Sequence, residues 1–271
     1  MQSKIISLTN SRIKKIVQLR DRKTRQELGL TIIEGVREVE RAIDCKADIK
    51  EIYCCPDMLN KMGSLALDKK LQALEVPKFE LSSPVFLKAS YGDRSEGVIA
   101  LMSIPETSLE NIRLKNKSNP IVVVVESVEK PGNLGAILRT CDGAGVDGVI
   151  VCDERTDIYN PNVIRASLGT IFSMQVGVGT SEHVLHYLRD SKIRICVTTP
   201  SAKMVYTDAD LNKSLAIIMG SEQKGLSAFW LNNADMKVNI PMNGVADSLN
   251  VSVSTAVVVY EALRQRKKGD K

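Results

Sequence analysis

Ile121–Val125 is an unbroken run of five β-branched apolar residues, I-V-V-V-V. A strand of this kind has no polar face to turn to water, so it belongs inside a parallel sheet covered on both sides. A short loop, Glu129-Lys130-Pro131-Gly132, follows it, and a helix is predicted from Asn133, whose side chain suits an N-cap. Leu134, Ile137, Leu138 and Cys141 fall at i, i+3, i+4 and i+7 and form the core stripe of that helix. Arg139 lies off the stripe, among Gly135, Ala136 and Gly143. An arginine surrounded by residues with almost no side chain suggests close approach by a ligand, RNA or another subunit. The glycine spacing is G-x-x-G with no G-K-[ST] after it, so neither the dinucleotide fingerprint nor the P-loop applies.

Strands and helices alternate along the rest of the chain, which predicts an α/β fold. Strands are expected at Leu30–Ile33, Ile49–Cys54, Phe79–Leu81 and Val98–Met102, then at Val149–Cys152, Ser173–Val178, Ile193–Thr198, Leu215–Met219 and Val238–Ile240. Helices are expected after Thr9 or Asn10, after Gly35, over Met58–Leu74, after the cap Ser82-Ser83-Pro84, over Asn160–Leu168 and over Glu182–Arg189. The polar stretch 106–119 reads as a linker between a first domain, 1–105, and a second, 120–271. Over Ser248–Ala262 the local rules conflict. Alternating Val251-Ser252-Val253-Ser254 and the run Val257–Val259 favour a strand, whereas Tyr260–Lys268 reads as the basic end of a helix.

No run of about 18 apolar residues is present, so no membrane-spanning helix is expected. The N-terminus has no apolar signal core, which predicts a cytoplasmic protein. The cysteines, Cys45, Cys54, Cys55, Cys141, Cys152 and Cys196, form no C-x-x-C pair and are expected as free thiols. His183 and His186 stand at i, i+3 with no third ligand nearby, so no metal site is expected. Eight basic residues fall within the first thirty, against only Asp21 and Glu27, although the whole chain carries +5. This cluster is an electrostatic footprint for a polyanion, with RNA or DNA the leading candidates.

Three glycine-bearing loops follow apolar strands in the second domain: Lys130–Gly135, Gly220–Gly225 and Pro241–Asn250. In open parallel sheets such loops meet at the ligand crevice. They offer amides, hydroxyls, one Glu and one Arg, and lack a Ser-His-Asp set or paired carboxylates. That chemistry favours group transfer over hydrolysis.

The segments P-G-N-L-G-A-I-L-R-T (131–140), I-M-G-S-E-Q-K-G-L (218–226) and I-P-M-N-G-V-A-D-S-L-N-V-S-V-S-T-A (240–256) resemble the three motifs of the SpoU (TrmH-type) RNA methyltransferases of the SPOUT superfamily. L-T-I-I-E-G-V-R-E-V-E (30–40) resembles the accessory substrate-binding domain of that family, and the arrangement is similar to that of the thiostrepton-resistance ribosomal RNA methyltransferases. The resemblance implies a C-terminal SPOUT domain with a deep trefoil knot, ending in a helix, and a smaller N-terminal α/β RNA-binding domain like a ribosomal-protein fold. It implies S-adenosylmethionine as methyl donor, an RNA ribose 2′-hydroxyl as acceptor, ribosomal RNA as substrate, and a homodimer formed through the catalytic domain. Carried over, Arg139, Asn133, Glu222, Ser248 and Asn250 are the expected catalytic residues. Thr198, Thr199, Met219, Gly220, Gly225, Ile240, Met242 and Leu249 are expected around the cofactor. Arg20, Arg22, Lys23, Arg25 and Arg165 are the expected RNA contacts. Lys130 before Pro131, and Cys141-Asp142-Gly143 after Thr140, depart from the usual first motif without touching these positions.

A guanidinium with a pKa above about 12 is a poor base. This favours Arg139 gripping a phosphate and stabilising the developing alkoxide. The alternative role, proton acceptance by Arg139, stays open. Competing functions are a tRNA 2′-O-methyltransferase, or a non-catalytic RNA-binding or assembly factor with the same fold. A nucleotide-dependent small-molecule enzyme would leave the basic N-terminus unexplained.

Overall fold

A computed structural model describes residues 2–62, 65–92, 96–114 and 118–269. Lys115, Asn116 and Lys117 of the expected linker lie outside the described residues. The chain forms two compact units, one of Met1–Glu106 with Asp157–Ser173, the other of Thr107–Thr156 with Met174–Lys271. Residues 157–173 therefore belong with the N-terminal residues, not with the second domain as the linear reading has it.

The first unit begins β1 (Gln2–Ile5), α1 (Ser11–Gln18), α2 (Arg22–Leu28), β2 (Leu30–Glu34), α3 (Val36–Asp44) and β3 (Ile49–Cys54). It continues α4 (Pro56–Met62), α5 (Leu65–Ala73), β4 (Lys78–Leu81), α6 (Ser83–Ala89) and β5 (Val98–Ser103). Its sheet has the order β1-β4-β3-β5-β2, with β5 antiparallel to both neighbours. Ile13, Ile16 and Leu19 pack with Tyr53, Phe86 and Leu101 in its core. Sequence reading lets the basic run Arg20–Arg25 close the first helix. Instead Asp21 accepts the Thr24 amide at 3.0 Å and starts α2, so the run is split by a cap. The helix expected over Met58–Leu74 is helical over Pro56–Met62 and Leu65–Ala73, with residues 63 and 64 outside the described residues, and the edge strand β1 carries no periodic signal.

The second unit supplies β6 (Ile121–Glu126), α7 (Pro131–Ala144) and β7 (Gly148–Cys152). Next in the chain, α8 (Pro161–Ala166) lies within the 157–173 segment of the first unit. Then follow β8 (Val176–Gly179), α9 (Ser181–Asp190), β9 (Arg194–Thr198), β10 (Met204–Val205), β11 (Leu215–Met219), α10 (Ala228–Asn233), β12 (Met236–Asn239) and α11 (Val251–Gly269). Among the described residues these strands make a parallel sheet, β10-β12-β9-β11-β6-β7-β8. Every residue of β6 is buried, as its composition requires. The strand expected at Ser173–Val178 starts at Val176, because Thr170–Phe172 turn as a short 3-10 helix.

The conflict over 248–262 resolves as helix. Val251, Thr255, Val258, Val259 and Ala262 are buried at i, i+4, i+7, i+8 and i+11, and α11 packs on α7 and β11. β-propensity differences span about 1 kcal/mol. Burying one valine or larger side chain is worth roughly 1.5–3 kcal/mol, so three buried valines outweigh the local preference.

Candidate active site

In a parallel sheet all strands end on the same edge, so the loops after β9, β11 and β12 converge. Thr198 closes β9, Met219 closes β11, and Ile240 follows β12. Between them lies a cleft of about 640 Å³. All eight residues expected around the cofactor line it: Thr198, Thr199, Met219, Gly220, Gly225, Ile240, Met242 and Leu249. Glu222, Ser248 and Asn250 line it too. Two local features shape the cleft. A Cβ on Gly220 would stand 2.2 Å from the Gly225 carbonyl carbon, so only glycine permits this closure. Gly225 itself has φ +65°, and Ser221 and Gly225 exchange backbone hydrogen bonds at 3.1 Å, pinching residues 221–225 into a tight turn. Thr198 Oγ1 is buried without a hydrogen-bond partner among the described residues. A buried hydroxyl in that condition, on a cleft wall, is a donor and acceptor left for a ligand.

At the rim the three motif loops are tied together by side chains. Asn133 Nδ2 donates to Glu222 Oε1 at 2.6 Å, and Asn250 Nδ2 donates to Asn133 Oδ1 at 3.1 Å. Asn250 Oδ1 in turn accepts the Ser252 amide at 2.9 Å, fixing the start of α11. The Glu129 and Lys130 amides also donate to Glu222, at 3.3 and 3.4 Å. Partial burial pushes the Glu222 carboxyl up, but the hydrogen bonds from Asn133 and from the backbone amides outweigh it and hold the group below its ordinary range. Glu222 is therefore an ionised clamp at neutral pH.

Arg139 is exposed on α7 and makes no hydrogen bond or ion pair among the described residues. It does not line the cleft, nor does Asn133, which reaches it through Glu222. The small neighbours Gly135, Ala136 and Gly143 leave the guanidinium uncovered. Sequence reading did not pick out Lys130, Ser221, Gln223, Lys224, Asp247 or Ser254, which also line the cleft. Each sits within or next to a motif, so proximity alone was the available signal. Leu231, on α10, also lines it and had none.

The expected RNA contacts divide. Lys23 is exposed, with only a 3.8 Å pairing to Glu27, and Arg22 is exposed. The exposed Arg20 donates to the Lys88 and Ser90 carbonyls. Arg25 is corrected: it is 1% exposed and cannot reach RNA. Its guanidinium donates to Asp157 at 2.8 and 2.7 Å and to the Leu19 and Arg20 carbonyls. Arg165 is half-buried within the first unit, not the second. His183 lies 3.1 Å from Glu110 on an exposed surface, and among the described residues no cluster suits a metal ion. Burial pushes the Cys152 and Cys196 thiols up to about 12, so neither is a thiolate nucleophile.

A parallel sheet with a glycine-pinched cleft at its carboxyl edge, an ionised clamp and a free arginine defines a group-transfer site on an α/β scaffold. Residues 120–260 match the SpoU rRNA Methylase family, and residues 10–100 match the MRM3-like substrate binding domain. The chain belongs to the SpoU rRNA methylase family. It is 28% identical over 256 residues to the 23S rRNA (guanosine(2553)-2′-O)-methyltransferase RlmP of Bacillus subtilis, covering 94% of this chain and 97% of that one. The solved structure of an RNA 2′-O ribose methyltransferase matches with a TM-score of 0.85 at 39% identity, over 97% of this chain and 99% of that one. The AdoMet-bound rRNA methyltransferase of Sinorhizobium meliloti matches with a TM-score of 0.86 at 27% identity, over 97% and 98%. The α/β fold with a separate N-terminal unit, expected from the motifs, is that of these proteins.

Proposed function

We infer that this chain is an S-adenosylmethionine-dependent RNA methyltransferase acting on a ribose 2′-hydroxyl, with ribosomal RNA as its substrate. The observation that carries the reading is the side-chain chain Asn250–Asn133–Glu222, which draws one residue from each of the three motif loops to one rim of the cleft. Family membership and the names of the relatives support the reaction and the RNA. The cleft fits the donor: the unpartnered Thr198 Oγ1 offers a hydrogen bond, Gly220 keeps the wall free of a side chain, and Met219, Ile240 and Leu249 supply apolar surface. When bound, S-adenosylmethionine supplies an electrophilic methyl carbon on a sulfonium.

The chain's own residues orient the acceptor. The ribose hydroxyl passes its proton to solvent water as it attacks, and the negative charge developing on its oxygen is stabilised by a fixed guanidinium beside it. Arg139, planar and permanently charged, takes the adjacent phosphate through paired N–H donors and stabilises that oxygen. Glu222, held ionised, anchors Asn133 and the first turn of α7, which carries Arg139. Ser248 and Asn250 bound the third side of the site. The working form is a homodimer through the second unit. On α11 Val253 is 48% exposed and Tyr260 52%, and the Tyr260 hydroxyl lies 3.5 Å from where a Cβ on Gly143 of α7 would stand. The packing of α11 on α7 and β11 is consistent with the family's trefoil knot. The first unit carries the RNA through Arg20, Arg22, Lys23 and Arg165. No helix among the described residues is long and apolar enough to cross a membrane, and the cytoplasm is the proposed location.

Arg139→Ala is the direct test. It should abolish methyl transfer from labelled S-adenosylmethionine to total RNA and leave calorimetric S-adenosylmethionine binding unchanged. Retained turnover would remove Arg139 from the chemistry. Failure of the unaltered protein to bind S-adenosylmethionine would instead favour a non-catalytic RNA-binding role.

A further inference from the structure

The first unit has a cavity of its own, about 340 Å³, lined by Glu34, Glu38, Glu96, Arg37 and Arg165 among others. That volume is at the lower end of small-ligand pockets. Glu34, the last residue of β2, is 8% exposed, and Glu38, in the first turn of α3, is 7% exposed. Glu34 Oε2 accepts the Tyr91 amide at 2.5 Å, while Oε1 is buried with no partner among the described residues. A buried carboxylate oxygen left unpaired is costly, so it is an acceptor open to a ligand donor. Glu38 curls back over the start of α3: a Cβ on Gly35, at φ +114°, would lie 2.3 Å from its Oε2. Burial pushes both carboxyls up, against the partial relief of the Tyr91 amide for Glu34 and of its own backbone for Glu38. Among the described residues no cluster of these acids is placed to hold a metal ion. The cavity also collects positive charge: Arg37 is exposed, Arg165 is half-buried, and Arg20 and Arg165 both act on Glu34.

A ligand that satisfies the unpartnered Glu34 Oε1 presents a hydrogen-bond donor inward, because that oxygen is an acceptor. It must carry negative charge outward, toward the arginines. A nucleotide meets both demands, and unpaired bases are commonly read along their Watson–Crick edges. Guanine is the base whose edge sets two donors side by side, N1–H and the N2 amino group. Adenine and cytosine each set a ring acceptor beside their amino donor, and uracil has a single imino donor between two carbonyls.

We propose that this cavity holds an unpaired guanine of the substrate RNA, its N1–H and N2 amino group donated to Glu34 and Glu38, with Arg37 and Arg165 toward the phosphates. This rests on the reading of the first unit as the RNA-binding part of the enzyme. It makes that unit a sequence reader as well as a basic surface, and it gives the half-buried Arg165 a role beside Glu34.

The test uses the full chain and fluorescein-labelled, uridine-rich short RNAs that differ only at one central base: guanosine, inosine or adenosine. Inosine keeps N1–H and lacks the N2 amino group. A site built to accept from that group should bind the guanosine RNA at least about tenfold more tightly than the inosine RNA. Equal affinities for the three RNAs would overturn the proposal without any variant. In Glu34→Gln the amide N–H₂ would face the guanine donors, so the preference for guanosine should disappear while calorimetric S-adenosylmethionine binding stays as before. A preference that survives Glu34→Gln would overturn the assignment to this cavity. Loss of the proposal leaves S-adenosylmethionine binding and methyl transfer standing. Absence of S-adenosylmethionine binding in the unaltered protein strikes the methyltransferase reading and not the base preference.

Discussion

Arg25 sits in the basic N-terminal run, yet its replacement should damage the fold and not the RNA surface. Its side chain is 1% exposed and that of Asp157 11% exposed. Two N–H groups meet the Asp157 carboxylate at 2.8 and 2.7 Å, and Nη1 donates to the Leu19 and Arg20 carbonyls at 2.9 and 2.8 Å. Arg25→Met keeps much of the apolar stem and removes all of these bonds. Removing one partner of a buried ion pair costs about 3–5 kcal/mol, because the other charge is left unpaired. With domain stabilities of roughly 5–15 kcal/mol, that is a large share. Adding Asp157→Asn removes the stranded charge, and the side-chain carbonyl can still accept the Tyr159 amide now bound at 3.0 Å. The double variant should therefore recover part of the loss. The unpaired Leu19 and Arg20 carbonyls keep it about 1–3 kcal/mol below the parent. Hydrogen exchange read by mass spectrometry over 19–34 and 157–173 measures this locally. At about 1.4 kcal/mol per factor of ten, exchange in Arg25→Met should quicken on the order of 10²–10³-fold. Arg22→Ala and Lys23→Ala should leave exchange unchanged and weaken RNA binding, with a shallower salt dependence. Unchanged exchange in Arg25→Met, with RNA affinity falling as in Arg22→Ala, would refute the structural assignment.

Two further outcomes follow from the cleft. Gly220→Ala places a methyl group 2.2 Å from the Gly225 backbone, so the 221–225 turn must open; calorimetry should read at least about a tenfold loss of S-adenosylmethionine affinity, while hydrogen exchange in the first unit stays as in the parent. Glu222 has its carboxyl below the ordinary range, so its stabilising contribution is present above the unfolded-state value and is lost as pH falls through the folded one. Melting temperature against pH should consequently show an acid-side decline that flattens in Glu222→Gln, and an identical decline in both proteins would count against the clamp.

Much of the catalytic unit was legible because its signals are local. The run Ile121–Val125 could only be an inner strand, and it is buried throughout. Asn133, Glu222 and Asn250 could be picked out as motif positions. That they bond to one another could not, since the partners lie 89 and 117 residues apart. The helix α11 defied its own β-branched composition because the deciding interaction is packing on α7, which no local rule contains. Residues 157–173 were misplaced for the same reason. Their attachment to the first unit runs through Thr31 to the Tyr159 carbonyl, Arg41 to the Leu168 carbonyl and Arg25 to Asp157, each more than a hundred residues apart in the chain.

The N-terminal charge count fails in a more instructive way. Net charge sums residues regardless of exposure, and a polyanion responds only to charge that water can reach. Within Arg20–Arg25 the cap at Asp21 turns the chain into α2, and the helical period then sends Lys23 outward, its side chain 84% exposed, and Arg25 inward to Asp157. One basic residue of the four expected contacts in that run is thus neutralised inside the unit. Arg165, distant in sequence, joins the cavity of Glu34 and Glu38 instead. Which basic side chains reach water in this run is decided by a cap and a long-range ion pair, not by composition.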